Sequence, residues 1–283
     1  MIFMRRKFIM KSISLKCFIG ILVTMWVLIT MIPFLFMILS GFKEQFELLM
    51  GNVFDLPKSL FLGNYIEVFK GNIFIYFKNS TIVLIVSLIL LLCTSAFASY
   101  PLSRFKFKLR KPIYSIIVAL MSVPVHVTLL PIFIMITKIG LYDSIWALIG
   151  PYVAFNLPIS IFILVTFMKQ IPKELEEAAE IDGCSKYRIF FSIILPLTKP
   201  GLATLAIYNG VSIWNEFSFA LTLTQSLNNR TLPLSIWEYQ GQYTMNVPMI
   251  MSVLTISMLP MIIAFIFGQD KLIKGMMAGA VKG

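Results

Sequence analysis

A group of amide, aromatic and acidic side chains lies within long apolar segments of the chain. Its members are Asn156, Tyr208, Asn209, Trp214, Asn215 and Glu216. Amides can exchange hydrogen bonds with sugar hydroxyls, and aromatic rings can stack on the flat apolar faces of sugars, so these residues could line a polar path for a sugar. The same groups also hold membrane helices together by hydrogen bonds, and both interpretations stay open.

Two ionisable side chains, Glu216 and His126, fall inside these apolar segments and are candidate functional groups for that reason. Glu216 lies roughly 24 Å along its segment from Pro200, near the outer end, where a charge is less costly. We favour a structural pair between Glu216 and a neighbouring polar group. His126 is the only histidine, so it builds neither a metal site nor a catalytic triad. We expect it to form a hydrogen bond to a neighbouring helix, with a role in the path as the alternative.

Several kinds of chemistry lack the residues that they need. The sequence contains no G-x-x-x-x-G-K-[ST] loop, which argues against ATP binding by a P-loop. Cys17, Cys93 and Cys184 are scattered and indicate neither a disulfide framework nor a metal-binding pair. We therefore expect no catalytic residues, no metal and no cofactor.

The polar segment 169–200 predicts a short helix, a break and a second helix. Pro172 suits the first helical turn, and the glutamates that follow lie near the positive end of the helix dipole. Gly183 suits a left-handed residue that ends the helix, and Ser185 can cap the next one.

The first of these helices carries a nearly smooth face, because Leu175, Ala178, Ala179 and Asp182 are spaced three and four residues apart. Small alanines let another surface approach closely. The helix could rest on lipid headgroups, or it could dock a soluble partner.

A series of motifs runs through this segment. Glu177-Ala178-Ala179 is followed by Asp182-Gly183 and, after nine intervening residues, by Ile193-x-Leu195-Pro196. The series resembles the complete EAA loop of the permease subunits of binding-protein-dependent ABC importers. The resemblance implies a coupling helix that seats in a cleft of a cytosolic ATPase. The residues that it assigns to coupling are Glu177, Ala178, Ala179, Asp182, Gly183, Leu195 and Pro196.

Two further segments resemble sugar permeases within that family. Trp214-Asn215-Glu216-Phe217 followed by Arg230-Thr231-Leu232-Pro233 is similar to their fifth-helix region, and the end of the chain is similar to the tail of a maltose-type permease. Met276-Met277 departs slightly from the usual start of that tail. The tail residues implied to contact the ATPase are Ala278, Gly279, Lys282 and Gly283. The tail glycines give it little helical stability of its own.

The resemblance also implies the partners. These are a second, similar permease subunit, two ATPase subunits that use the ATP, and an extracytoplasmic sugar-binding protein. The implied mechanism is alternating access, in which closure of the ATPases moves the coupling helices and turns the cavity outward.

The composition requires that these residues be positioned by helices in lipid. Of the 283 residues, 58% are hydrophobic and only 13% are charged, against about 25% in soluble domains. Only helices and closed barrels satisfy the backbone in lipid, and no barrel-like alternation is present. The sequence therefore predicts an all-α membrane protein with six transmembrane helices and a single domain, residues 1–283. The predicted spans are 17–39, 80–100, 113–136, 144–168, 201–224 and 247–267.

Basic residues set the orientation of these spans in the bacterial inner membrane. With both termini in the cytosol, 18 of the 24 Lys and Arg residues lie inside, which fits the positive-inside rule. An outer loop, 41–79, is then expected to fold as a small cap, and the segment 169–200 and the tail 268–283 are cytosolic. The net charge of +11 therefore reflects orientation rather than nucleic-acid binding, and the cluster from Arg104 to Lys111 is interpreted as headgroup contact.

Three other functions remain as alternatives. One is an ABC permease for a non-sugar solute. A second is an ion-coupled secondary transporter, which normally has more intramembrane acids than Glu216 alone. The third is a membrane-embedded enzyme, against which the single histidine argues.

Overall fold

The computed structural model describes residues 2–52, 54–240 and 245–280, with side chains between residues 16 and 269. Within these ranges the chain is helical and has no β-strand, as predicted. The α-helices are α1 (Ile2–Gly41), α2 (Gln45–Met50), α3 (Gly63–Lys70), α4 (Ile73–Arg104), α5 (Arg110–Leu120), α6 (Leu129–Lys138), α7 (Trp146–Gln170), α8 (Glu174–Ile181), α9 (Lys186–Ile189), α10 (Leu195–Leu197), α11 (Lys199–Trp214), α12 (Ser218–Leu223) and α13 (Val247–Ala280).

Among the described residues, four helical segments are long and apolar enough to cross a membrane, and two bent helix pairs raise the number to as many as six. The four are Lys16–Gly41, Ile73–Arg104, Trp146–Gln170 and Val247–Gln269. They match the first, second, fourth and sixth predicted spans. The second begins earlier than predicted, so residues 73–79 belong to α4 and not to the outer loop.

The third predicted span, 113–136, is broken and not continuous. The helices Arg110–Leu120 and Val125–Lys138 meet at an angle of 94°. Pro124 lies at the break. A proline lacks the N–H needed for a helical hydrogen bond and disfavours the helical conformation of the residue before it, so the helix is interrupted there. His126 is exposed in the 3₁₀ turn that follows, and its side chain forms no hydrogen bond with any residue that the structure describes. The expected bond to a neighbouring helix is therefore absent from the described part of the chain.

The fifth predicted span, 201–224, is also interrupted. Helix α11 ends at Trp214, and α12 begins at Ser218. At its other end α11 forms an angle of 67° with the helix Lys186–Leu197. The break places the backbone of residues 215–217 outside a regular helix and gives Glu216 a local structural role.

The chain divides into two compact units. One comprises Met1–Val68 and Glu238–Ile256, and the other comprises Phe69–Trp237 and Ser257–Gly283. The sequence shows no boundary between them, and a single functional domain stays a prediction. In the first unit the outer segment is folded, since the Asn64 side-chain amide donates to the carbonyls of Gly41 and Lys43 at 2.9 and 2.8 Å.

The second unit is built on the packing of α4 against α7. Helix α4 buries a row of small polar residues: Ser80, Ser87, Ser95, Ser99 and Ser103. Small residues let membrane helices approach closely. The Ser99 hydroxyl donates to the Ile161 carbonyl, and the Ser103 hydroxyl lies 3.6 Å from the Met168 sulfur. This packing fixes the end of α4 beside the end of α7, where the segment 169–200 begins.

An aspartate clamps two outer connections of the second unit together. Asp143 has a positive φ of 56°, and its carboxylate accepts hydrogen bonds from the backbone N–H groups of Gln225 and Ser226 at 2.8 and 2.9 Å. Burial raises the pKa of Asp143, but the hydrogen bonds from Gln225, Ser226 and Asn229 outweigh it, so the pKa lies below its usual value. The carboxylate therefore stays charged and holds the connection before α7 to the one after α12.

The orientation predicted from the basic residues can be tested by labelling. In a variant without the natural cysteines, single cysteines at Lys58 and Arg230 should react with a membrane-impermeant thiol reagent added outside cells, and one at Lys186 should react only after permeabilisation. The reverse pattern would show that the orientation is wrong.

Candidate coupling site and polar network

The segment 169–200 folds as the predicted pair of short helices. Helix α8 begins at Glu174, and the Lys173 carbonyl accepts the N–H groups of Glu176 and Glu177 at 2.9 and 3.0 Å. Pro172 therefore precedes the helix and does not occupy its first turn, which corrects the prediction by two residues. The three glutamates lie in the first turn as expected, where they interact favourably with the helix dipole.

Gly183 ends α8 in the left-handed conformation predicted for it, with a φ of 77°. Its N–H donates to the Glu180 carbonyl, and the Cys184 N–H donates to the Ala179 carbonyl, which closes the helix end. The Ser185 hydroxyl then accepts the Arg188 N–H at 3.3 Å and caps α9, also as predicted. Local sequence thus sets both ends of the turn.

The structure divides the predicted smooth face of α8 into a free side and a buried side. Ala178 and Asp182 are exposed, as are Leu175 at 44% and Ile181 at 87%. Ala179 is buried against Leu164, Ile189 and other apolar residues of the same chain. The prediction that both alanines face a partner is therefore wrong for Ala179, because the bundle covers the side of the helix that carries it. Leu175, Ala178 and Ile181 are called the docking face below.

A buried ion pair fixes α8 to the end of α4. Arg104 Nε lies 2.8 Å from Glu176 Oε1, and the two side chains are 4% and 10% exposed. Arg104 Nη2 also donates to the Ile171 carbonyl at 2.7 Å, beyond the end of α7. The interpretation of Arg104 as a headgroup contact is therefore wrong. Arg110 likewise donates to the Leu102 carbonyl at 2.9 Å. No sequence spacing links Arg104 to Glu176, so sequence reasoning missed this pair.

Two of the residues assigned to coupling lie away from the docking face. Leu195 and Pro196 are half-buried in α10, directly after a π-helical turn at Phe190–Ile194. Leu195 packs on the apolar cluster that contains Ala179. The structure therefore brings Ala179 and Leu195 together in the core, whereas Glu177, Ala178 and Asp182 are accessible to a partner.

Three of the candidate path residues belong to one hydrogen-bonded network between α7 and α11. Asn209 is fully buried, and its amide donates to the Ser160 hydroxyl at 3.0 Å; that hydroxyl donates to the Asn156 carbonyl. The Asn156 amide donates to the Tyr152 carbonyl at 2.8 Å. The Tyr152 hydroxyl donates to Glu216 Oε2 at 2.8 Å and completes the network. The bonds from Asn209 to Ser160 and from Tyr152 to Glu216 join different segments and support helix association for Asn209 and Glu216, whereas the Asn156 amide bonds within α7.

Glu216 forms a pair with a neighbouring polar group, Tyr152, which is the contact that we favoured from the sequence. Besides accepting the Tyr152 hydroxyl, its carboxylate accepts the N–H groups of Phe219 and Ala220 at 2.9 and 3.2 Å. It thereby caps α12 after the break in the fifth span. Trp214 is also structural, since it is buried and its indole N–H donates to the Ser257 carbonyl at 3.1 Å.

Of the six path candidates, Tyr208 and Asn215 are the two that the structure leaves exposed. They are seven residues apart on α11 and therefore lie on one side of it, together with the exposed Val211. Asn215 donates to the Val211 carbonyl within its own helix. This side of α11 retains the groups that could contact a solute.

The tail residues lie at the limit of the described structure. The helix α13 continues through Ala280, so residues 268–280 are helical where the sequence predicted low helical stability. Ala278 and Gly279 belong to this helix, and Lys282 and Gly283 lie outside the described residues. Their contact with an ATPase stays a prediction.

Replacement of Glu216 by Ala should destabilise the fold. The change removes the Tyr152 bond and both backbone bonds to α12, and bonds to charged groups contribute about 1.5–3 kcal/mol each. We expect a lower thermal unfolding midpoint in detergent for Glu216→Ala and a smaller decrease for Glu216→Gln, which keeps one acceptor. Asn215→Ala is the matched control, and an equal decrease for that neighbour would contradict the capping role.

Two glycines with a left-handed backbone conformation provide a matched pair of sites for substitution by alanine. Gly183 and Gly140 have φ values of 77° and 73°, and an added Cβ would meet nothing within 4 Å at either position. Alanine should therefore cost about 1–2 kcal/mol at both, from backbone strain alone. We expect similar decreases in the unfolding midpoint, but weaker recovery of an ATPase subunit only for Gly183→Ala. Equal recovery for both variants would remove Gly183 from the coupling site.

Comparison with known proteins identifies the family. A family profile described as "Binding-protein-dependent transport system inner membrane component" matches residues 92–277. The chain belongs to this family. The match includes α8, the docking face and the polar network, so these features are parts of an inner-membrane transport component.

The relatives of this transport component are ABC permeases. An ABC transporter permease protein of Caldicellulosiruptor sp. is 56% identical over 93% of this chain and 96% of its own length. An arabinooligosaccharides transport system permease protein of Halalkalibacterium halodurans is 34% identical over 90% of this chain and 92% of its own. The fold matches a chain of a bacterial ABC transporter involved in the import of the acidic polysaccharide alginate. That match has a TM-score of 0.76 at 19% identity and covers 89% of this chain and 94% of the other.

Proposed function

We propose that the chain is a permease subunit of an ABC importer for a sugar or oligosaccharide. It forms the translocation path with a second permease subunit, receives solute from an extracytoplasmic binding protein, and is driven by two separate ATPase subunits. The chain itself has no P-loop sequence, so ATP is bound and hydrolysed by the ATPases.

The docking face of α8 is the observation that carries this proposal. Contiguous exposed apolar patches mark interaction sites, and on α8 Leu175 and Ile181 are 44% and 87% exposed on either side of the small side chain of Ala178. The helix lies in a segment predicted to be cytosolic and is flanked by exposed glutamates, which oppose burial in the headgroup region. A soluble partner with an apolar cleft fits this surface better than a lipid surface does, and an ATPase subunit is such a partner.

A sugar as the solute is supported by the similarity to an arabinooligosaccharides transport system permease protein and by the exposed side of α11. Tyr208 offers an aromatic ring and Asn215 an amide, which suit the apolar faces and hydroxyl groups of sugars. An ion-coupled carrier is less well supported, because the single acid of the fifth span, Glu216, is engaged in capping α12.

Co-purification and uptake test the proposal together. The chain is expressed with its own ATPase, second permease subunit and binding protein, and is purified by an affinity tag in mild detergent. We expect the ATPase to co-purify, and cells lacking the chain to lose uptake of a labelled oligosaccharide such as maltotriose or arabinotriose. Absence of the ATPase at normal permease levels would reject the ABC assignment. Loss of amino-acid uptake with oligosaccharide uptake unchanged would reject the sugar.

A further inference from the structure

The attachment of α8 to the rest of the second unit is narrow. The helix has eight residues, and only Glu176 and Ala179 are buried. Ala179 has one methyl group, so the apolar part of the attachment is small. The other part is polar: Glu176 forms an ion pair with Arg104, the last residue of α4, and also interacts electrostatically with Tyr100 of the same helix.

Arg104 connects three elements at one point. Its guanidinium contacts Glu176 in the first turn of α8 and donates to the Ile171 carbonyl just beyond α7, while its backbone belongs to α4. Both charged side chains are almost completely buried, so water and salt screen the pair far less than an exposed one. The two buried groups, 2.8 Å apart, resist separation, because moving either partner away leaves a buried charge unpaired.

We propose that the Arg104–Glu176 ion pair is the positioning link that makes α8 and the cytosolic end of α4 move as one rigid body. This inference rests on the proposed docking of an ATPase on α8. Without the pair, α8 would be attached to the unit by Ala179 and by the chain on either side of the helix, and a displacement imposed on the docking face could be absorbed as rocking of α8. With it, the displacement reaches α4 and therefore the α4–α7 packing that forms the core of the bundle.

The matched control lies on the same helix. Glu180 forms an ion pair with Lys186 of α9, and these side chains are 44% and 53% exposed. Exposed pairs of this kind contribute little to rigidity, and the contact of this one near α4 is weak, since the Lys186 ammonium lies 6.0 Å from the ring centre of Phe105, the residue after that helix. Neutralising Glu180 should therefore leave the link between α8 and α4 unchanged.

Spin-label distances test the rigid link directly. The natural residues Cys17, Cys93 and Cys184 are replaced by serine, and labels are attached to cysteines at the exposed positions Lys173, before α8, and Ile89, on α4. The distance between the labels is measured in the whole transporter in lipid nanodiscs, without nucleotide and with ATP trapped by vanadate. ATPase recovery is measured on the same samples.

In the natural chain, and in Glu180→Gln, the label distance should be the same in both nucleotide states. In Glu176→Gln, trapping should shift it by more than about 2 Å or clearly broaden it, since helix displacements of this size accompany coupling motions. The charge-exchanged variant Arg104→Glu with Glu176→Arg should restore the constant distance. If the pair only stabilised the fold, its loss would lower the amount of folded protein but would not make the label distance depend on nucleotide.

Two results would overturn the inference. One is a change in the label distance of the natural chain when ATP is trapped by vanadate. This result can be obtained even if a variant fails to accumulate. The other is an identical, constant distance in Glu176→Gln. If the ATPase co-purifies in either case, the docking proposal stands and only the rigid link fails. If the ATPase does not bind the natural chain, the proposed function fails first.

Discussion

Ala178→Glu should leave the amount of protein in the membrane unchanged and abolish both ATPase recovery and uptake. Ala178 is exposed at the centre of the docking face, so the glutamate meets no residue of its own chain. Against a partner it adds volume where close packing is expected, which costs about 1–3 kcal/mol, and it also buries a charge. Because a loss of 1.4 kcal/mol is a tenfold loss of binding, we expect at least a tenfold decrease in ATPase recovered at matched permease levels.

The control for this variant is Leu109→Glu. Leu109 is 63% exposed in the other long basic segment predicted to be cytosolic, next to α5. The substitution adds the same charge and the same kind of side chain away from α8, and ATPase recovery should stay normal. If α8 rests on lipid headgroups, Ala178→Glu would also retain the ATPase, and that outcome would reject the docking face.

Sequence reasoning succeeded where the signal is local. The left-handed Gly183 and the Ser185 cap follow from the conformational preferences of single residues and from bonds to neighbours a few positions away. The spans with continuous helices follow equally from apolar length. These features depend on little beyond a short stretch of chain, so composition and spacing are sufficient to predict them.

The errors arise where tertiary packing decides. Pro124 and Glu216 mark breaks in the third and fifth spans, but whether a helix bends slightly or turns by 94° depends on what packs beside it. Ala179 and Ala178 are equivalent in the sequence, and only the position of the bundle buries one of them. Arg104 resembles the exposed basic residues after it. Its partner Glu176 is distant in the sequence, so no periodicity reveals the pair.

Arg104→Met should be one of the most destabilising single substitutions in the second unit. It leaves the Glu176 carboxylate buried without its cation and removes the donor to the Ile171 carbonyl. Removal of one member of a buried ion pair typically costs about 3–5 kcal/mol. We expect a large decrease in the thermal unfolding midpoint in detergent and a lower level in the membrane. Lys186→Met, which removes the cation of the exposed pair on Glu180, should change the midpoint little.

The double variant Arg104→Met with Glu176→Leu separates the cost of an unpaired charge from the value of the pair. Two apolar side chains of similar size leave no buried charge, and such replacements of buried pairs are often neutral or stabilising. The double variant should therefore recover most of the stability that Arg104→Met loses. Recovery of stability without recovery of uptake would be expected if the pair serves coupling, because apolar contacts permit sliding that a fixed ionic contact resists. A double variant as unstable as the single one would show instead that the lost bond to Ile171, and not the unpaired carboxylate, dominates the loss.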